Sequence, residues 1–465
     1  MSLTDSPGTP HMGESVPTAS GFLQMLGLSR PELRAWALYD WANSAMVTTI
    51  LTAVFPIFYA KVACADFPEM GASYYATATT IGMVFIAVIS PLLGAIADYS
   101  ARKKQMLGGF MALGLVAVAS MFFISRGQWI FASFLFILAN VGANGSFVFY
   151  DSLLPHIAND DEVDRVSTAG YALGYLGGGI LLALNLAWIQ KPEWFGLPAG
   201  GNLTPSQQTL PARLSFLSVA IWWFIFSIPL FRRVSEPRPD RAPSEFQHGW
   251  IGTIHVAFGR LKETARELGR YRQAVLMLAA FLIYNDGIGT IMRMAGIYAT
   301  ELKIDSGVII QSIMLVQFVG IPCSFAFGAL AGKIGAKMAI FLGLMVYMLI
   351  CIVGYFMTTG THFLILAMLV GLVQGGTQAL SRSLFASMIP RDKSGEFFGF
   401  FAVVEKFAGI VGPAMFAVIN LITGSSRGAI LAVISFFIIG GALLAMVDVA
   451  KGQAAARPDS EPSGA

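Results

Sequence analysis

Gly94-Ala95-Ile96-Ala97-Asp98-Tyr99-Ser100-Ala101-Arg102-Lys103-Lys104 stands between two long apolar runs, and its reading decides the fold. From Met83 to Ile96 there is no charged residue, and then one acid and three bases follow between positions 98 and 104. A membrane-spanning helix leaves the bilayer in this way on its basic, cytoplasmic side. The chain turns here and re-enters the apolar phase. Gly94 permits close approach of a neighbouring helix, Asp98 can sit against a helix N-terminus, and Arg102 can reach a carboxylate such as Asp151. These four residues form a candidate gating latch that would hold one of two arrangements of the chain.

Composition agrees with a membrane location. The 465 residues are 55% hydrophobic and only 12% charged, whereas about a quarter of the residues of a soluble domain are charged. The net charge of +3 is spread over loops between apolar segments, so nothing points to nucleic acid. Of the three cysteines, Cys323 and Cys351 fall inside apolar runs and Cys64 near the end of the first, which indicates neither a disulfide framework nor a metal site. The five histidines have no metal-ligand spacing. No Gly-x-x-x-x-Gly-Lys-Ser/Thr sequence occurs, which leaves ATP-driven transport without an engine. No enzyme constellation is present, and no cofactor is expected.

A span needs about twenty mainly apolar residues. Segments near 35–60, 74–97, 106–124, 129–153, 168–189 and 214–231 qualify, and after a polar stretch so do 274–299, 307–331, 338–357, 363–385, 397–422 and 429–447. The expected fold is therefore all-α, with twelve spans in two six-helix bundles at 35–232 and 273–450. Disordered tails are expected at 1–34 and 451–465. With both termini cytoplasmic, 21 Lys and Arg lie inside, 6 outside and 3 within spans, a bias that sets this orientation. The linker 233–272 contains Trp250, Ile254, Phe258, Leu261, Ala265 and Leu268 at helical spacing among charges, the pattern of an amphipathic helix on the membrane surface.

The two bundles echo one another. Gly94-Ala-Ile-Ala-Asp98 answers Gly328-Ala-Leu-Ala-Gly332, Tyr39-Asp40 answers Tyr284-Asn285-Asp286, and Leu154-Pro155 answers Ile389-Pro390. Internal repeats of this kind build carriers with a central site between two bundles.

Polar side chains inside a span are costly unless they face protein or water, so their periodicity locates a cavity. The first span aligns Asp40, Ser44 and Thr48 with Asn43 beside them, and the fourth aligns Asn140, Asn144 and Asp151. The seventh aligns Asp286, Thr290 and Arg293, and the tenth Gln374, Gln378 and Arg382. The candidate solute-binding residues are Asp40, Asn43, Ser44, Asn140, Asn144, Asp286, Arg293, Gln374, Gln378 and Arg382. Glu405 and Lys406 lie side by side in the eleventh span and point about 100° apart, so at most one aims fully at the cavity. Desolvation disfavours a buried carboxylate's charged form, which makes Asp40, Asp286 and Glu405, with Lys406, candidates for proton coupling. The structural alternative is fixed ion pairs with Arg293, Arg382 or Lys406.

The Gly-x-x-x-Asp and basic cluster at 94–104 resembles the loop between helices 2 and 3 of the major facilitator superfamily. In that superfamily helices 1, 4, 7 and 10 line the central path, the four spans that the polar stripes pick out here. Tyr39-Asp40-Trp41-Ala42-Asn43-Ser44-Ala45 is similar to the signature of its unknown major facilitator branch, which includes the autophagy-related vacuolar amino-acid effluxers of fungi. Tyr284 to Gly287 and Gly371 to Arg382 resemble the same branch. Drug antiporters of the superfamily have Gly-Pro within a glycine series in helix 5, where this chain has Gly174-Tyr175, and that departure weakens an export-antiport reading. The resemblance implies a secondary carrier like the bacterial members; the expected partners are a small-molecule solute and the lipid bilayer, and a monomer in the bacterial inner membrane is the expectation. An acid in span 1 with bases in spans 7 and 10 can grip the two ends of a zwitterion such as an amino acid. Rival cargoes are a sugar, an organic anion or a lipid, and the rival class is a transporter-like sensor or assembly protein.

Overall fold

The computed structural model describes residues 21–67, 70–201, 203–237, 269–408, 411–423 and 426–457, with the single positions 259 and 266. The helices are α1 (Pro31–Ala63), α2 (Gly71–Ser100), α3 (Lys103–Ser120), α4 (Trp129–Ile157), α5 (Val163–Gln190), α6 (Pro205–Arg233), α7 (Arg272–Glu301), α8 (Ser306–Ile334), α9 (Ala336–Tyr355), α10 (Gly360–Ala386), α11 (Ser394–Phe407), α12 (Val411–Thr423), α13 (Ser426–Met446) and α14 (Val449–Ala456). Among the described residues, 11 of these helices are long and apolar enough to cross a membrane. The eleventh expected span is divided. Its pieces α11 and α12 have 14 and 13 residues, and at about 1.5 Å per residue neither alone crosses the roughly 30 Å of hydrocarbon.

Local chemistry explains the irregular stretches. α1 winds wide from Met46 to Ala53, where the Val54 N–H reaches back five residues to the Thr49 carbonyl at 2.8 Å. Pro56 follows, which has no N–H and whose ring crowds the carbonyl four residues earlier, so the coil relaxes into π-type turns. α6 opens with a capping box between Thr204 and Gln207. α2 ends at Ala101, whose φ of 49° turns the chain sharply into α3.

α1 to α6 form one half and α7 to α13 the other. Within each half, α1 packs on α5 and α6, α3 on α4, α8 on α10, and α7 on α13. The halves meet along two seams: α2 and α4 face α11, and α5 faces α8 and α10. The repeat glycines sit on these seams. A methyl on Gly94 would stand 2.0 Å from the Gly395 carbonyl oxygen, and one on Gly328 2.1 Å from the Thr168 hydroxyl, so each glycine lets a helix of the other half touch.

Two expectations need correction. Residues 21–34 are not an unstructured tail: Gly21–Met25 is helical, Leu28 and Leu33 are buried, and Arg30 binds Glu162 and the Ile157 carbonyl. Beyond 450 the chain continues as α14, where Gly452 packs on Met388 and Gln453 donates to Ser387. The glycines of α5 serve mainly contacts inside one half, since methyls at Gly174 and Gly177 would strike Ser44 and Trp41 of α1. The amphipathic segment expected at 250–268 lies outside the described residues apart from positions 259 and 266.

Candidate functional site: a charged cavity floor between two halves

At the end of the molecule bearing the 94–104 loop the halves are joined by charge. Asp98 accepts hydrogen bonds from the N–H groups of Gly395 (3.0 Å) and Glu396 (2.8 Å) in the first turn of α11, and Lys103 lies 2.8 Å from its carboxylate. A carboxylate against exposed helix N–H groups is favoured by the partial positive charge there. Lys103 also donates to Ser394 at 2.6 Å, and His156 stands 3.1 Å from the same hydroxyl. The base beside Asp98 is thus Lys103. Arg102, expected to reach Asp151, does not hold that carboxylate, because Arg382 takes it.

Arg382, on α10, projects across the seam into the other half. Its Nη1 donates to Asp151 at 3.0 Å, Nη2 reaches Asp40 at 3.4 Å and the Ser167 carbonyl at 3.0 Å, and Nε donates to the Ser167 hydroxyl at 3.0 Å. The guanidinium lies 4.9 Å from the Trp36 ring centroid and 4.7 Å from that of Tyr171. Trp36 in turn stacks on Tyr150, whose hydroxyl donates to Asp40 at 2.8 Å. A planar, weakly hydrated cation with several fixed donors is suited to such a buried, aromatic-walled position. Gly170 makes room, since a methyl there would stand 2.5 Å from the Asp40 carboxylate.

This cluster is the floor of a cavity of about 550 Å³ that runs between the halves to the far ends of α7, α8 and α10. Of the residues picked from sequence, Asp40, Asn43, Ser44, Asp151, Arg293, Gln374, Gln378, Arg382 and Glu405 line it. Four others do not. Asn140 and Asn144 bond to each other within α4, on a face that α2 covers at Gly82. Asp286 turns to the start of α12, where it accepts the Gly412 N–H at 2.9 Å, an attraction created by the break in the eleventh span. Lys406 pairs with Glu405 at 3.2 Å, so of these adjacent residues it is the acid that faces the cavity.

Sequence reasoning missed Tyr171, Tyr175 and Gln317, all on the wall. Asn43 Nδ2, Gln317 Oε1 and Gln374 Oε1 are buried there with no hydrogen-bond partner among the described residues. The rest of the wall is largely apolar, including Ile313, Val316, Ile350, Leu366 and Val370. Among the described residues no group of His, Cys, Asp and Glu is placed to hold a metal ion.

Two pseudo-equivalent helical halves about a central cavity define a multi-pass membrane protein of the major facilitator fold. Solved structures agree: the chain superposes with a TM-score of 0.63 on the transporter FucP in its outward conformation (13% identity; 91% of this chain and 99% of that one). It superposes with a TM-score of 0.62 on the human organic anion transporter MFSD10 (16% identity; 89% and 99%). The family described as "Vacuole effluxer Atg22 like" matches residues 68–457, and the chain belongs to that family. Among its relatives, the uncharacterized MFS-type transporter YxiO of Bacillus subtilis is 35% identical over 89% of this chain and 94% of its own length. Autophagy-related protein 22-1 of Aspergillus fumigatus is 22% identical over 94% and 84%. The chain is an MFS-type transporter, with a solute and membrane lipid as its surroundings.

Proposed function

We propose that this chain is a secondary carrier for an amino acid or a similar small zwitterion, working by alternating access in a bacterial inner membrane with both termini cytoplasmic. On that orientation the latched end is the cytoplasmic one, and the cavity faces outward. Efflux is the direction carried by the family description, and it is proposed here as movement out of the cytoplasm. The observation that carries the reading is the trio of unpartnered amide atoms beside a charged floor. A buried donor or acceptor without a partner costs about 1–3 kcal/mol, so these atoms suit a solute with matching groups. Gln317 and Gln374 offer acceptors to an ammonium, and Asn43 offers a donor to a carboxylate. A cavity of about 550 Å³ is of the size that encloses a small molecule.

Arg382 takes a different part from the one expected of it. Two carboxylates and a serine already occupy its donors, so in this state it fixes the floor, and the three acids Asp40, Asp151 and Glu405 are balanced by Arg382, Arg293 and Lys406, a charge balance that suits a zwitterion. Asp40 and Glu405 are the proposed route for proton coupling.

Thermal unfolding of the purified protein in detergent tests the substrate class. A ligand at one hundred times its Kd stabilises the folded state by about 2.7 kcal/mol. Amino acids are expected to raise the melting temperature, and Asn43→Ala or Gln374→Ala is expected to move the required concentration up at least tenfold. Stabilisation by sugars or by organic anions lacking an amine, with none by amino acids, would replace this reading.

A further inference from the structure

The α5 seam loosens steadily along its length. Near the latched end a methyl on Gly328 would lie 2.1 Å from Thr168; near the middle of α5 methyls on Gly375 and Gly320 would lie 2.5 Å and 3.0 Å from the Tyr175 ring; beyond it a methyl on Gly179 would lie 3.6 Å from Gln317. The α2 seam is tight throughout this end, since methyls on Gly94, Gly395 and Gly399 would stand 2.0, 2.7 and 2.7 Å from backbone of the other half. The α5 seam is therefore tightest at the latched end, and the halves part toward the mouth of the cavity.

Where the splay begins stands Tyr175, a bulky side chain from one half seated in a socket made by two glycines of the other. Gly320 belongs to α8 and Gly375 to α10, and these two helices also pack closely on each other. The ring faces helix backbone at both glycines, with the Ser324 hydroxyl of α8 packed beside Gly375. Close-packed contacts of this kind have discrete alternatives and deform little. We propose that Tyr175 is a mid-membrane wedge that sets the balance between the two access states, acting as a positioning residue for transport. The proposal rests on the alternating-access reading.

The wedge makes predictions of opposite sign for removal and for thickening. Tyr175→Ala lets the outer ends of α5 and α8 close and so favours the inward-open state. Gly320→Ala crowds the socket and holds the outer ends apart. Tyr175→Phe keeps the ring and leaves the balance unchanged.

Two single-cysteine reporters read the states in the full chain in sealed vesicles. Ile309→Cys lies on the cavity wall at the outer end of α8. Ser383→Cys lies buried near the latched end of α10, where Ser383 donates to Asp164 across the seam. A membrane-impermeant maleimide is added to either face, and the unsubstituted chain gives the background from Cys64, Cys323 and Cys351. With Tyr175→Ala, the ratio of Ile309→Cys to Ser383→Cys labelling rates is expected to fall at least threefold; with Gly320→Ala it is expected to rise.

If Tyr175→Ala does not fold, Gly320→Ala carries the test alone. Ratios that stay at the parent value in folded Tyr175→Ala or Gly320→Ala, or that move in the same direction in both, overturn the wedge while the parent's two-sided labelling keeps alternating access. An effect of Tyr175→Phe equal to that of Tyr175→Ala also overturns it. A parent whose Ser383→Cys is never labelled from the cytoplasmic face overturns alternating access and the wedge together.

Discussion

Arg382 sits in the half built from α7 to α13, yet the hydrogen bonds of its side chain end on Asp40, Asp151 and Ser167 of the other. Removing one partner of a buried ion pair costs about 3–5 kcal/mol, because the remaining charge keeps its desolvation penalty. Here two carboxylates would be stranded. Arg382→Gln is therefore expected to lower the melting temperature sharply. Adding Asp40→Asn and Asp151→Asn to it is expected to recover much of the loss, the non-additivity that marks coupled groups. Arg382→Lys is expected to rescue poorly, since an ammonium cannot reproduce the planar fork that serves Asp151, Asp40 and Ser167 at once. Thermal melts of the three variants check this, and equal loss in Arg382→Gln and the triple variant would show that the carboxylates are not coupled to the guanidinium. The sequence made Arg382 and Asp40 visible because charge inside an apolar span is rare. It did not make their partnership visible, because nothing in a stripe on one helix says which helix will face it. Gln317 escaped for a related reason: it is five residues from Ser312, off the three- and four-residue steps that trace a helix face.

At the scale of elements, hydropathy placed the spans and the basic loops, and the glycine of the 94–104 stretch does mark a close helix contact. Gly94→Ala places a methyl where the Gly395 backbone now lies, and backbone cannot rotate aside. It is expected to prevent the α2 and α11 ends from meeting, so that Ser394→Cys, placed at that junction, becomes labelled from the cytoplasmic face at least fivefold faster. Unchanged labelling would mean that the seam tolerates a shift. The break in the eleventh span was not legible, since 397–422 reads as one apolar run. What marks it is tertiary: Asp286 supplies an acceptor to the Gly412 N–H, one of the groups that a new helix start leaves open. The same holds for Asn140 and Asn144, whose spacing fits a cavity face but whose surface α2 covers. Periodicity reports a shared face of one helix, and only packing decides what that face meets. The ordered stretch at 21–34 was missed because its few apolar anchors, Leu28 and Leu33, are too sparse to make a pattern.

For the whole molecule, the repeat between the halves was readable and has a physical consequence. Gly94 and Gly328 occupy equivalent places on the two seams, so the halves close at one end, Gly94 on the Gly395 backbone and Gly328 on the Thr168 side chain, while the cavity stays open at the other. An arrangement with equivalent seams can close at the opposite end by rocking, provided that Arg382 leaves Asp40 and Asp151 and that Asp98 leaves the α11 N-terminus. Those released charges are what a proton or a solute ammonium can compensate, which ties the residue-scale cluster to the proposed alternation between states. Flux through proteoliposomes measures this most directly. Vesicles carrying the purified protein are loaded with unlabelled amino acids, and entry of a mixture of the twenty radiolabelled amino acids is followed with and without a pH gradient. The carrier reading predicts counterflow well above empty vesicles, a change in rate when the gradient is imposed, and loss of both with Arg382→Gln; uptake equal to empty vesicles for every amino acid would contradict it.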